Sequence, residues 1–179
     1  MDRKYFSVFL AVWTVAFLIA GSVPYLRFKL IAGLIIFLFI SGFAKRSPKK
    51  EALYIAAILY PPAELALKFS VTLIDPVAVN MAEHFIAGAL AALAASVVLE
   101  RALEKLDGWD ELAFTVSAAV LFCLLYEITG YMVYYEPSAI LYSDTMRDLS
   151  MNIAGAVMTA SITTWYDSRS GDRWRHRRL

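Results

Sequence analysis

Charge is scarce in this sequence. Only 18% of its 179 residues are Asp, Glu, Lys or Arg, against roughly 25% in an ordinary soluble domain. The formal net charge is +1, so no basic surplus points to nucleic acid. The single cysteine, Cys123, cannot form an intramolecular disulfide; it sits in an apolar run and reads as a small hydrophobe. No G-x-S-x-G elbow presents a serine nucleophile, and there is no P-loop, Rossmann glycine fingerprint or H-E-x-x-H pair. Nothing resembles a channel filter, an internal repeat or a separate soluble domain.

What remains is apolar. Sixty per cent of the residues are hydrophobic and the mean hydropathy is +0.59, too much apolar side chain for the surface of a soluble fold this small. Disorder is excluded by the same numbers. The chain therefore reads as one integral membrane domain, residues 1–179, multi-pass in the cell (inner) membrane. Runs of the right length for transmembrane helices cover residues 5–23, 30–44, 52–70, 77–99, 112–134 and 149–165. The first is closed by Pro24 and is too long for a typical signal-peptide core, so it reads as a retained anchor. The second is short, and the third is interrupted by Pro61-Pro62. The runs lack the alternation of barrel strands, and helices satisfy their own backbone in lipid. The expected fold is all-α, a polytopic six-helix transmembrane bundle.

Lys and Arg in the connections set the orientation. Arg3, Lys4, Lys45, Arg46, Lys49, Lys50, Arg101, Lys105 and five arginines from Arg169 to Arg178 fall on one side. Arg27, Lys29, Lys68 and Arg147 fall on the other or at span ends. The bias predicts both termini in the cytoplasm, and an even number of spans agrees. The near-neutral total conceals +4 on the cytoplasmic segments and −3 elsewhere. Residues 168–179 form a basic cytoplasmic tail, read as an orientation signal or as a clamp for anionic lipid headgroups. His176 in that tail reads as solvated.

Ionisable groups inside spans are costly, so each needs a reason. At ~1.5 Å per residue, Glu64, His84 and Glu127 each lie roughly 10 Å from the non-cytoplasmic end of their spans. Asp144, Asp148 and Asn152 are spaced i, i+4, i+8 and share one helical stripe, continued by Gly155, Ala156 and Ala160. In the fourth span Asn80, His84, Gly88, Ala92 and Ser96 repeat every four residues, with Glu83 on an adjacent face. In the fifth, Cys123, Glu127 and Tyr131 share a face.

Each group also has a local explanation. Glu64 and Lys68 are ordered for an i, i+4 ion pair. Asp144 suits an N-cap and Asp148 the positive end of a helix. His84 suits a hydrogen-bonded core histidine, and Arg147 either pairs with Glu136 or is solvated. Tyr131, Tyr134, Tyr135 and Tyr142 suit an interfacial belt. Taken jointly, one histidine with several carboxylates is a hard, oxygen-rich ligand set for a divalent metal. On that reading His84, Glu127, Asp144 and Asp148 are candidate ligands, with His84 and Glu127 as candidate acid/base groups. The alternatives are a proton-handling site in a small carrier, and a polar network that only locks helix packing. Expected partners are membrane lipids and a lipid-linked or small-molecule substrate.

The segment Glu83-His84-Phe85-Ile86-Ala87-Gly88 resembles the H-F-x-x-G element of the YjdF-like inner-membrane proteins. Tyr126-Glu127 resembles their buried Tyr-Glu or Phe-Glu. Asp144-Thr145-Met146-Arg147-Asp148-Leu149, followed by Gly155-Ala156, resembles their D-T-x-x-D-[LM] and G-A ending. The resemblance spans about Val77 to Trp165, and a more distant one runs to VanZ-like proteins, which are tied to teicoplanin resistance. Asn152 departs from the family pattern, which more often has a small apolar residue there. The resemblance implies that His84, Glu127, Asp144 and Asp148 act as a unit, and it names no substrate.

Overall fold

A computed structural model describes residues 3–44, 47–133 and 139–170. All their regular elements are helical: α1 (Arg3–Ile19), a 3-10 turn (Ala20–Ser22), α2 (Pro24–Ala44), α3 (Lys50–Ser70), α4 (Pro76–Val98), α5 (Glu100–Leu103), α6 (Gly108–Val133) and α7 (Ala139–Ser170). The chain divides into two compact units, Met1–Val79 and Asn80–Leu179, with the division in the first turn of α4.

In the first unit, α2 begins at Pro24 rather than Leu30. Pro24 both closes the first apolar run and opens the second helix. A proline at the first helical position has the right φ already, and the N–H it lacks would have no partner there. Arg27 and Lys29 therefore sit within a helix.

Helix α3 runs through Pro61 and Pro62 without a break, which corrects the expected interruption. Pro61 cannot donate to the carbonyl of Ala57 four residues earlier. The indole Nε1 of Trp13 on α1 donates to that carbonyl instead, at 3.0 Å. A side chain from a neighbouring helix thus satisfies the group that proline orphaned. Trp13 is 3% exposed and packs beside Phe9, Phe17 and Tyr60, with ring centroids 5.5, 6.0 and 6.1 Å away. The Tyr60 ring lies over Gly33, where a β-carbon would come within 2.5 Å of it. Only glycine lets α2 and α3 approach this closely around that ring.

Helix α4 runs from the first unit into the second and opens on Asp75, whose Oδ1 accepts the Val77 N–H at 3.1 Å, with Pro76 in the first helical position. Its end at Val98 and the run of α6 agree with the expected spans to within a few residues. Helix α7 is the main departure. Its 32 residues start at Ala139, well before the expected Leu149, so the acidic segment is helix and not a lead-in. Asp144 consequently lies inside α7 and is not its N-cap.

Four described helical segments are long and apolar enough to cross a membrane: Leu26–Ala44, Lys50–Ser70, Pro76–Val98 and Gly108–Thr129. Tyr5–Ile19 is a shorter apolar helix. Helix α7 is less apolar and is not in this group. Ile35, Ile36 and Phe39 on α2 and Phe122 on α6 are all more than half exposed. Apolar faces on this scale are suited to lipid rather than water.

Candidate metal centre

Helices α4, α6 and α7 meet on three fully buried alanines, Ala92, Ala119 and Ala156. Helices α4 and α7 are in backbone contact. A β-carbon on Gly88 would overlap the Asn152 carbonyl, and one on Gly155 would overlap the Phe85 carbonyl. This is the small-residue seam expected from sequence, and it brings backbones together as such seams do in membranes.

Eight residues from each alanine, about 12 Å along each helix axis, stand His84, Glu127 and Asp148. Each offers one ligand atom, and these atoms lie within 4.8 Å of one another. The shared offset has a simple cause: residues four apart stay on one helix face, and eight is two such steps. Gly88, Cys123 and Asn152 occupy the intermediate positions.

The His84 ring lies between the two carboxylates. Nε2 is 3.3 Å from Asp148 Oδ2 and Nδ1 is 3.7 Å from Glu127 Oε1. Asn80 Nδ2 donates to Asp148 Oδ1 at 2.7 Å, which fixes the carboxylate and turns Oδ2 towards the imidazole. The Asn152 amide lies 3.4 Å from His84 Nδ1. Glu127 and Asn152 are 7% and 2% exposed. Glu127 Oε1 and Asn152 Oδ1 are both buried without a hydrogen-bond partner. Buried oxygens are normally satisfied, so two unsatisfied ones beside a histidine call for an explanation. A cation among them supplies one. One imidazole and two carboxylates would leave further coordination positions open, as metal sites that do chemistry require. The donor set suits a hard or borderline divalent ion.

Of the four expected ligands, the structure brings together His84, Glu127 and Asp148. Asp144 instead pairs with Arg147 one turn along α7. The other expected partner of Arg147, Glu136, lies outside the described residues. Glu64 belongs to the first unit, where it pairs with Lys29 of α2 at 3.5 Å, while Lys68, the partner expected along its own helix, is exposed. Glu83 is half-buried and is not one of the three ligand groups. Tyr142 is 63% exposed; the side chains of Tyr131, Tyr134 and Tyr135 lie outside the described residues, as does His176.

Asn80 and Asn152 are the contributors that sequence reasoning left out of the ligand set. Both were visible as neighbours, four residues before His84 and four after Asp148. Their type did not mark them, because asparagine on a small-residue seam reads equally well as packing. Comparison of the chain with protein-family models, curated proteins and solved structures gave no match.

Proposed function

We propose that this chain is a multi-pass membrane protein with six spans and both termini in the cytoplasm, and that His84, Glu127 and Asp148 hold a divalent cation. On this reading the site opens towards the outer face and acts on a lipid or envelope-linked substrate. His84 and Glu127 serve as ligands or acid/base groups, Asn80 orients Asp148, and the Asp144–Arg147 pair flanks the site. The observation that carries the proposal is the Glu127 oxygen that accepts no hydrogen bond, buried beside two further ligand groups contributed by other helices. Kinship with the YjdF-like proteins belongs to the same proposal. It is supported by the meeting of the motif residues His84, Gly88, Glu127, Asp148 and Gly155 in one place.

The test is the metal content of protein purified in detergent without chelator, then after loading with Zn, Mn or Fe(II). Near-stoichiometric metal that falls sharply in His84→Ala and in Asp148→Ala is the expected result. A folded wild-type protein that binds none of these ions overturns the metal reading.

One observation favours a second reading. Each ring nitrogen of His84 faces its own carboxylate, so a small approach of Glu127 from 3.7 Å to hydrogen-bond distance would complete a proton path through the imidazole to Asp148. A small proton-coupled carrier would use such a path. In liposomes, Glu127→Gln should then abolish pH-driven solute movement while leaving the protein folded.

A further inference from the structure

The first unit contains a groove of about 400 Å³. Its floor is formed by Phe9, Phe37, Leu53 and Tyr54, all buried. Its rim is formed by Phe6 and Leu38, which are 47% and 56% exposed. The groove therefore opens onto the outer apolar surface of the unit. Its walls come from the first turns of α1, the last turns of α2 and the first turns of α3. The N-termini of α1 and α3 consequently lie at the same end of the unit as the C-terminus of α2.

That end is basic in sequence. Arg3 and Lys4 fall at the start of α1 and Lys49 and Lys50 at the start of α3, against Glu51; Lys49 is buried and Lys50 is half-buried. Lys50 stands three, four and seven residues before Leu53, Tyr54 and Ala57, so it continues the groove-lining face of α3 by one turn. The N-termini of α1 and α3 add partial positive charge at the same level, and the C-terminus of α2 offsets part of it. An apolar slot that opens sideways and ends at Lys50, beside a helix N-terminus, matches one kind of molecule: an acyl chain carrying an anionic headgroup.

The geometry points to this groove as a binding site for an anionic phospholipid, with one acyl chain against Phe9, Phe37 and Tyr54 and the phosphate beside Lys50. The inference rests on the membrane reading and is independent of the His84 site. A basic end selects headgroup charge, whereas the groove selects only a chain. The two parts can therefore be separated by mutation.

The test is native mass spectrometry of the full chain in detergent with equimolar phosphatidylglycerol and phosphatidylcholine of matched acyl chains. The expected result is preferential retention of phosphatidylglycerol. Lys50→Gln should lower that preference about fivefold, the equivalent of ~1 kcal/mol for one basic side chain at an anionic lipid surface. Ser41→Phe, which fills the groove from α2, should reduce retention of both lipids. Equal retention of the two lipids by wild type overturns the proposal, as does unchanged retention in folded Ser41→Phe. So does a dimer that Ser41→Phe dissociates, since the occupant would then be a second copy. Release of the chain from membranes by alkaline carbonate would instead overturn the membrane reading itself.

Discussion

Gly88 and Asn152 are in backbone contact: a β-carbon on the glycine would overlap the asparagine carbonyl, so α4 and α7 sit as close as helices can. This contact lies one turn from His84 on α4 and one turn from Asp148 on α7. It sets the separation across which the imidazole and the carboxylate meet. The clash would be with backbone, which cannot swing aside as a flexible side chain can. Gly88→Ala should therefore push the helices apart, at a cost of about 1–3 kcal/mol for overpacking. Thermal unfolding in detergent should show the loss, and metal occupancy should fall with it. A Gly88→Ala protein of wild-type stability and occupancy would mean that the close approach is dispensable.

Asn80 tests the metal site without removing a ligand. Its amide fixes Asp148 Oδ1, which turns Oδ2 towards the imidazole and the proposed cation. Loss of a hydrogen bond that orients a ligand typically costs ~10–100-fold in metal affinity. Asn80→Ala should show a loss of that size in competition with a chelating dye, while the apo protein unfolds close to the wild-type temperature. The opposite pattern, a large loss of stability with unchanged affinity, would favour a network that only locks helix packing.

Much of this arrangement was legible in the sequence, because membrane helices keep a strict register. The four-residue steps from Asn80 to Ala92, from Cys123 to Glu127 and from Asp148 to Ala156 already put the right residues on common faces. Helix boundaries were less legible where polar residues entered an apolar run. Asp144 looked like a cap because the hydropathy pattern starts at Leu149, yet backbone hydrogen bonding continues back to Ala139. Partners across helices were not legible at all. Lys68 was the only cation at ion-pair spacing from Glu64 along its own helix, and periodicity within one helix says nothing of Lys29 on another.

The two prolines of α3 lead to a prediction about Trp13. If the indole stands in for the N–H that Pro61 lacks, Trp13→Phe keeps an aromatic ring but leaves the Ala57 carbonyl buried and unpaired, at about 1–3 kcal/mol. Pro61→Ala restores a backbone donor to that carbonyl. The double variant should therefore lose less stability than the sum of the two single variants, since both act on one acceptor. Additive losses in thermal unfolding would show that the Ala57 carbonyl is satisfied in some other way.

Glu64 provides the last contrast, because sequence and structure name different partners for it. Lys29 is 3.5 Å away with both side chains largely buried, whereas Lys68 is exposed. Removing one member of a buried pair strands the other charge away from water and typically costs about 3 kcal/mol. An exposed pair along one helix contributes only ~0.3–0.5 kcal/mol. Lys29→Met should therefore destabilise the protein severely, and Lys68→Met should barely move its unfolding temperature. Adding Glu64→Gln to Lys29→Met should recover part of the loss, because the stranded carboxylate becomes a neutral amide. Equal effects of Lys29→Met and Lys68→Met would return Glu64 to its partner along the same helix.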